Sequence, residues 1–220
     1  MEWISVLLLG FFLGMKHSTD ADHVVAVTTI VSQQRKLSAA SLIGAVWGVG
    51  HTFTVLIIGS AIIYLKLSIS PHVGLSLEFS VGVMIVILGL LSLKNFIPYT
   101  NAASHSTASF QKKYIRSLIV GLVHGMAGSA AVALLVLQSI SNQKLALIYL
   151  LIFALGTMLG MMLVTIIIGL PYIYANKLQR FNRILGISTA LFSIGFGLML
   201  MYELGLEKGL FTDHPIWSPK

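Results

Sequence analysis

Long apolar stretches alternate with short polar segments along the whole chain, and this pattern predicts an all-helical integral membrane protein. A helix needs about 20 predominantly apolar residues to cross the hydrocarbon core of a bilayer. Stretches of about this length or longer are separated by segments that contain Lys, Arg, Pro or Ser. The predicted transmembrane helices, six in all, cover about residues 3–32, 38–65, 73–93, 117–140, 145–174 and 184–204.

The first stretch differs from the others because a polar octet interrupts it. Residues 3–15 and 24–31 are apolar, whereas residues 16–23 read KHSTDADH. As one straight helix the stretch would measure about 45 Å, against a hydrocarbon core of roughly 30 Å. The helix is therefore expected to be tilted, to project from the bilayer or to break near its middle, and its excess length favours a break.

The overall composition agrees with a membrane protein and excludes an ordinary soluble enzyme. Hydrophobic residues make up 56% of the chain and charged residues only 10%, whereas a soluble domain carries roughly 25% charged residues. The net charge is +7, which we interpret as a signal of membrane orientation rather than as a surface for nucleic acid. The chain has no cysteine, so it has neither a disulfide nor a thiolate metal site.

Lys and Arg concentrate on one side of the predicted membrane. The loops after spans 1, 3 and 5 share one side and hold nine of these residues, whereas the opposite side holds four. The side with more Lys and Arg is normally cytoplasmic. The pattern predicts a multi-pass protein of the cytoplasmic membrane with both termini outside the cytoplasm. The nine residues are Arg35, Lys36, Lys94, Lys112, Lys113, Arg116, Lys177, Arg180 and Arg183.

A register shift of 106 to 107 residues relates the two halves of the chain. It aligns His17 with His124 and Gly50 with Gly156. Because each half would contain three spans, the second half would enter the membrane from the opposite side. Such inverted repeats are typical of transporters whose substrate site lies near the middle of the bilayer. The predicted organisation is one transport domain, with a first repeat over 1–94, a cytoplasmic loop over 95–115 and a second repeat over 116–220.

The polar octet inside the first span is the strongest chemical signal in the sequence. A charged residue at the centre of a transmembrane helix costs roughly 2.5–3.5 kcal/mol, so Lys16, Asp20 and Asp22 require a polar interior. Imidazole nitrogens suit nickel, cobalt, zinc and copper, and carboxylates add charge. One unbroken helix would place His17 and Asp22 about 140° apart. Either the backbone opens here, or Asp22 orients a histidine without touching the ion.

Two further histidines fall inside predicted spans. His51 follows Gly50 in span 2, and His124 lies early in span 4 at the register position of His17. Either can instead be a hydrogen-bonded packing residue, and Asp20 and Asp22 can form a proton relay without metal. The candidate metal ligands are His17, Asp20, Asp22, His23, His51 and His124.

Two motifs resemble the signatures of the NiCoT nickel/cobalt transporters. One is His17-x4-Asp22-His23, preceded by Lys16, and the other is Gly50-His51-Thr52. The whole chain looks like the short six-span branch of urease-accessory-type nickel permeases. The resemblance implies a secondary permease for Ni²⁺ or Co²⁺ without a prosthetic group. The resemblance implies that His17, Asp22, His23 and His51 bind the ion. Its motif matches Asp20 less closely, so it implies this role for Asp20 more weakly.

The second half departs from that family. Longer members carry an acidic motif there, whereas residues 124–129 read HGMAGS and contain no carboxylate. The metal preference, the coupling ion and the direction of transport therefore stay open.

The sequence as a whole predicts a permease and not an enzyme. Its partners would be a divalent metal ion and the lipid bilayer, with no nucleic acid and with homo-oligomerisation left open. One alternative is a transporter of another substrate, such as another cation, a proton-coupled solute or an exported compound. The other is an intramembrane metalloenzyme, which the lack of an H-E-x-x-H helix disfavours.

Overall fold

The computed structural model describes residues 2–32, 34, 36–66, 69–96, 107–127, 140, 142–175, 179–212 and 214–217, and every regular element in these ranges is a helix. Four helical segments, 37–65, 71–96, 143–174 and 180–207, are long and apolar enough to cross a membrane, and two shorter apolar helices precede them. The predicted all-helical membrane protein is confirmed at this level. The helices are α1 (Glu2–His17), α2 (Ala21–Val31), α3 (Leu37–Leu65), α4 (Pro71–Phe96), α5 (Thr107–Met126), α6 (Gln143–Ala175) and α7 (Gln179–Tyr202), which continues as a π-helical turn (Glu203–Glu207).

The first predicted span is broken at its polar octet, as its excess length indicated. Helix α1 ends at His17 and α2 begins at Ala21, with a turn at residues 18–20 between them. Inside this turn the backbone N–H of Thr19 donates to the carbonyl of Lys16 at 2.9 Å, and the Thr19 hydroxyl donates to the same carbonyl at 2.6 Å. The break therefore satisfies part of the backbone that the end of α1 leaves unpaired.

The fourth predicted span differs from the observed helix at its start. Helix α5 begins at Thr107, inside the segment that the sequence analysis interpreted as a loop over residues 95–115. The polar composition of that segment hid the helix, because a helix can form from polar residues without an apolar run. The last part of the predicted span, residues 128–139, lies outside the described residues. A fourth span ending near residue 140 stays a prediction.

Helices from the two halves of the chain pack against each other. Helix α1 lies along α6, α3 lies against both α5 and α6, and α4 pairs with α7, while α2 contacts α4, α6 and α7. Glycines permit the closest approaches, as is common for helices in membranes. A Cβ at Gly14 would collide with the backbone of Phe153 in α6, and a Cβ at Gly121 would collide with the backbone of Trp47 in α3.

Buried apolar side chains form two clusters, and we name each after one of its aromatic members. The Trp47 cluster lies around α2, the first part of α3 and α4, whereas the Phe153 cluster lies around the second part of α3 and the first part of α6. In α3, Trp47 and Val55 belong to different clusters, and His51 lies one helical turn from each. The histidine-bearing layer therefore separates the two clusters. The Trp47 cluster includes Val27, Val31, Ile43, Trp47, Ile85 and Met161; the Phe153 cluster consists of Val55, Ile62, Ala146, Tyr149, Leu150 and Phe153.

Candidate metal centre

The break between α1 and α2 brings two histidines of the octet together. The ring centroids of His17 and His23 lie 4.7 Å apart, whereas one straight helix would separate the two residues by about 9 Å along its axis. His51 of α3 completes the group, with its ring 5.2 Å from both. One potential ligand atom from each of the three side chains lies within 4.8 Å of the others. This spacing allows one ion to contact all three.

Four of the six ring nitrogens of this group are buried and unpaired. His17 is 6% exposed and His23 and His51 are each 1% exposed. Among the described residues, His17 Nε2, His23 Nε2 and both nitrogens of His51 have no hydrogen-bond partner. Leaving a buried polar atom unpaired costs about 1–3 kcal/mol. Several unpaired nitrogens at one point therefore fit a metal site better than ordinary packing.

The two carboxylates of the octet contact the Nδ1 atoms of His17 and His23, on the side of each ring away from the unpaired Nε2. Asp20 Oδ2 lies 2.8 Å from Nδ1 of His17, and Asp22 Oδ1 lies 3.1 Å from Nδ1 of His23. The backbone N–H of His23 also donates to Asp22 Oδ1 at 2.9 Å. A carboxylate that accepts the Nδ1 proton fixes the ring and leaves the Nε2 lone pair available to an ion. In the described part of the chain, Asp20 belongs to no group of converging ligand atoms, so the geometry gives it an orienting position.

His124 of α5 lies on the other side of His23. It is fully buried, and its ring centroid is 4.3 Å from that of His23. Its Nε2 lies 3.2 Å from Asp22 Oδ2, without the geometry of a hydrogen bond. Asp22, His23 and His124 form a second group whose ligand atoms lie within 4.8 Å of one another. The structure thus brings the predicted His124 into the same centre as the histidines of α1, α2 and α3.

Two aromatic residues that the sequence analysis did not single out contact the centre. The Trp47 ring stacks on His23, with centroids 5.6 Å apart and planes 19° apart, and lies 5.5 Å from His124. The Phe153 ring lies 5.8 Å from His17. An aromatic residue inside an apolar span carries no chemical signal of its own. The register shift of 106 residues aligns Trp47 with Phe153, and this alignment was the sequence feature that could have identified both residues.

Together the fold and this centre define a helical membrane protein with a candidate metal site buried inside its bundle. The chain is 42% identical to the urease accessory protein UreH of Bacillus sp. (strain TB-90), over an alignment of 225 positions that covers 96% of both chains. The chain therefore belongs to the UreH family of urease accessory proteins. This membership places it with accessory proteins rather than with enzymes, as predicted.

Two chloroplast proteins of Arabidopsis thaliana are more distant relatives. FOR GROWTH AND FERTILITY 2 is 24% identical over 87% of this chain and 55% of its own length, and FOR GROWTH AND FERTILITY 1 is 26% identical over 89% of this chain and 58% of its own length. The chain thus spans a little more than half of each. No protein-family model matches the chain, and no solved structure matches it.

Proposed function

We propose that the protein is a secondary permease that carries Ni²⁺, with Co²⁺ as the alternative ion, across the cytoplasmic membrane. The observation that carries this proposal is the buried group of His17, His23 and His51, whose unpaired nitrogens converge at the break of a membrane helix. The relationship to a urease accessory protein agrees with the nickel permeases that the motifs resemble.

The donor set fits this class of ion. Neutral imidazoles bind nickel, cobalt, zinc and copper, whereas magnesium and calcium prefer sites made only of oxygen. Asp20 and Asp22 lie directly behind two of the rings and supply negative charge that balances a dication. Copper binds such sites more tightly than nickel, and zinc binds them tightly too. Selectivity must therefore come from the fixed positions of the rings.

The pairing of helices supports an architecture of two inverted three-span repeats. Under the register of 106 to 107 residues, the contact of Gly14 with Phe153 corresponds to the contact of Gly121 with Trp47. The packing of α1 on α6 likewise corresponds to the packing of α5 on α3. The register also aligns α4 with α7, and these two equivalent helices pack against each other. We assign the repeats to residues 1–94 and 116–220, with residues 95–115 as a cytoplasmic connection and both termini outside the cytoplasm.

This arrangement suits alternating access. The histidine layer would lie near the middle of the bilayer, where inverted-repeat transporters bind their substrates. The Trp47 cluster and the Phe153 cluster would cover it from opposite sides. Rocking one repeat against the other would uncover one side at a time, and the histidines would replace the water that the ion loses. The chain has no G-x-x-x-x-G-K-[ST] motif, which agrees with transport that does not use nucleotide hydrolysis on this chain.

Uptake of labelled nickel into proteoliposomes tests this proposal. His51→Ala removes a buried ligand, and we expect uptake to fall at least roughly 10-fold, because weaker changes around metal ligands already cost 10- to 100-fold. His72→Ala is the matched control, since His72 lies exposed at the start of α4, and its uptake should equal that of the wild type. Equal uptake by His51→Ala and the wild type would contradict the proposed site.

A further inference from the structure

The two groups of potential ligands share one residue. His17, His23 and His51 form the first group, and Asp22, His23 and His124 form the second. The ring of His23 lies 4.7 Å from His17, 5.2 Å from His51 and 4.3 Å from His124. His23 is therefore the point at which the two groups meet.

The two nitrogens of His23 have different surroundings. Nδ1 lies 3.1 Å from Asp22 Oδ1, inside the second group. Nε2 has no hydrogen-bond partner in the described part of the chain, so it is available to the first group. A neutral imidazole has one lone pair and one N–H. It can therefore bind an ion through only one of its nitrogens at a time.

The second group has the arrangement of ligands rather than of a simple hydrogen-bonded pair. His124 Nε2 and Asp22 Oδ2 are 3.2 Å apart but do not form a hydrogen bond. In the tautomer that carries its proton on Nδ1, His124 presents a lone pair at Nε2, which repels the carboxylate oxygen unless a cation lies between them. A divalent cation that contacts both atoms, together with Nδ1 of His23, satisfies all three.

We propose that the two groups are alternative positions for a single divalent cation, which passes from one to the other through His23. This inference rests on the proposed function, because it treats the ion as cargo. In the first position the ion binds His17, His51 and Nε2 of His23, while the Nδ1 proton is donated to Asp22. In the second position it binds Asp22, His124 and Nδ1 of His23. The ring carries one proton in either position: Nδ1 releases its proton to water that enters with the ion, and Nε2 takes one proton from water, so the charge of the ring does not change.

Because both groups use the His23 ring, the number of ions that can bind at once is limited. Two dications bridged by one imidazole would require the ring to lose its last proton, and only Asp20 and Asp22 among the contacting groups carry negative charge. Mutual repulsion in a buried site is strong because the surroundings screen charge poorly. The centre is therefore expected to bind one ion per chain although it offers two sets of ligands.

Titration of the purified protein with Ni²⁺, combined with X-ray absorption spectroscopy of the bound metal, tests this inference. The wild type should bind one ion per chain. His51→Ala removes a ligand of the first group alone and should still bind one ion, about 10- to 100-fold more weakly, with a carboxylate and fewer imidazoles around it. His124→Ala should bind one ion with three imidazoles, yet lose uptake into proteoliposomes. The double variant should bind none.

His124→Gln guards against a folding defect, because it keeps a polar side chain at this buried position, and it should show the same loss of uptake with binding retained. Two ions per wild-type chain would overturn the inference. So would uptake by both His124 variants at the wild-type rate, since His124 would then be a packing residue. The proposed function fails in a different way, namely if the wild type neither binds nor carries Ni²⁺.

Discussion

Replacing His23 with alanine is expected to abolish Ni²⁺ binding and uptake together, with a larger effect than any other single histidine change. His23 belongs to both groups of ligand atoms, whereas His51 and His124 each belong to one. Its loss therefore leaves no complete set of three ligands. We expect binding to weaken by more than about 100-fold, beyond the range seen when only a supporting residue is lost. Titration of the purified variant with Ni²⁺ measures this directly.

The order in which the histidine variants lose Ni²⁺ binding tests this expectation most directly. His23→Ala should bind more weakly than both His51→Ala and His124→Ala, because each of those keeps one intact group. His23→Asn serves as a second variant, since its side-chain amide can donate to Asp22 as the imidazole does. Binding by His23→Ala that equals binding by His51→Ala would show that His23 has no shared role. His72→Ala, on the exposed start of α4, should bind as the wild type does.

Gly14→Ala is expected to disrupt the packing of α1 on α6. A Cβ at this position would overlap the carbonyl oxygen of Phe153, and it would lie 2.8 Å from the backbone nitrogen of Thr157. Backbone atoms cannot yield as a side chain can, so the helices must separate. Overpacking of a well-packed interior costs typically 1–3 kcal/mol, and separation would also move His17 away from the centre. We expect a lower thermal unfolding temperature in detergent and reduced uptake.

Gly195→Ala is the matched control for this change. Gly195 also lies inside a membrane helix, α7, but an added Cβ would meet no atom within 4 Å in the part of the chain that the structure describes. Alanine also favours helix over glycine by about 1 kcal/mol. The control should therefore unfold at the wild-type temperature or slightly above it. If Gly14→Ala and Gly195→Ala unfold at the same temperature, the close approach of α1 to α6 is not a determinant of stability.

The parts of this molecule that could be predicted from sequence are those in which polar residues interrupt a stretch that is otherwise apolar enough to cross a membrane. Asp22 and His23 lie inside an apolar stretch too long for one span. This interruption predicted the metal chemistry, which stays a prediction, and the break in the helix, which the structure confirms. The start of α5 at Thr107 was missed because the residues around it are polar, and a helix of polar residues has no apolar run that would reveal it.

The partners within the centre could not be predicted, because they depend on how distant helices pack. Nothing in the sequence around Asp22 shows that its two oxygens contact different histidines, one on α2 and one on α5. Trp47 was missed because it does not stand out in the sequence: tryptophan is common among the aliphatic residues of membrane helices. Its contact with two histidine rings appears only when α2, α3 and α5 come together.

The position of the histidine layer between two apolar clusters has a consequence for the energised membrane. A chain of closely spaced imidazoles open to water at both faces would conduct protons and dissipate the gradient on which the cell depends. In the described conformation Trp47 and Phe153 are each 1% exposed, and they belong to the two clusters between which His51 lies along α3. If the protein carries ions as proposed, releasing a metal ion without leaking protons requires that one of these rings stay in place while the other moves.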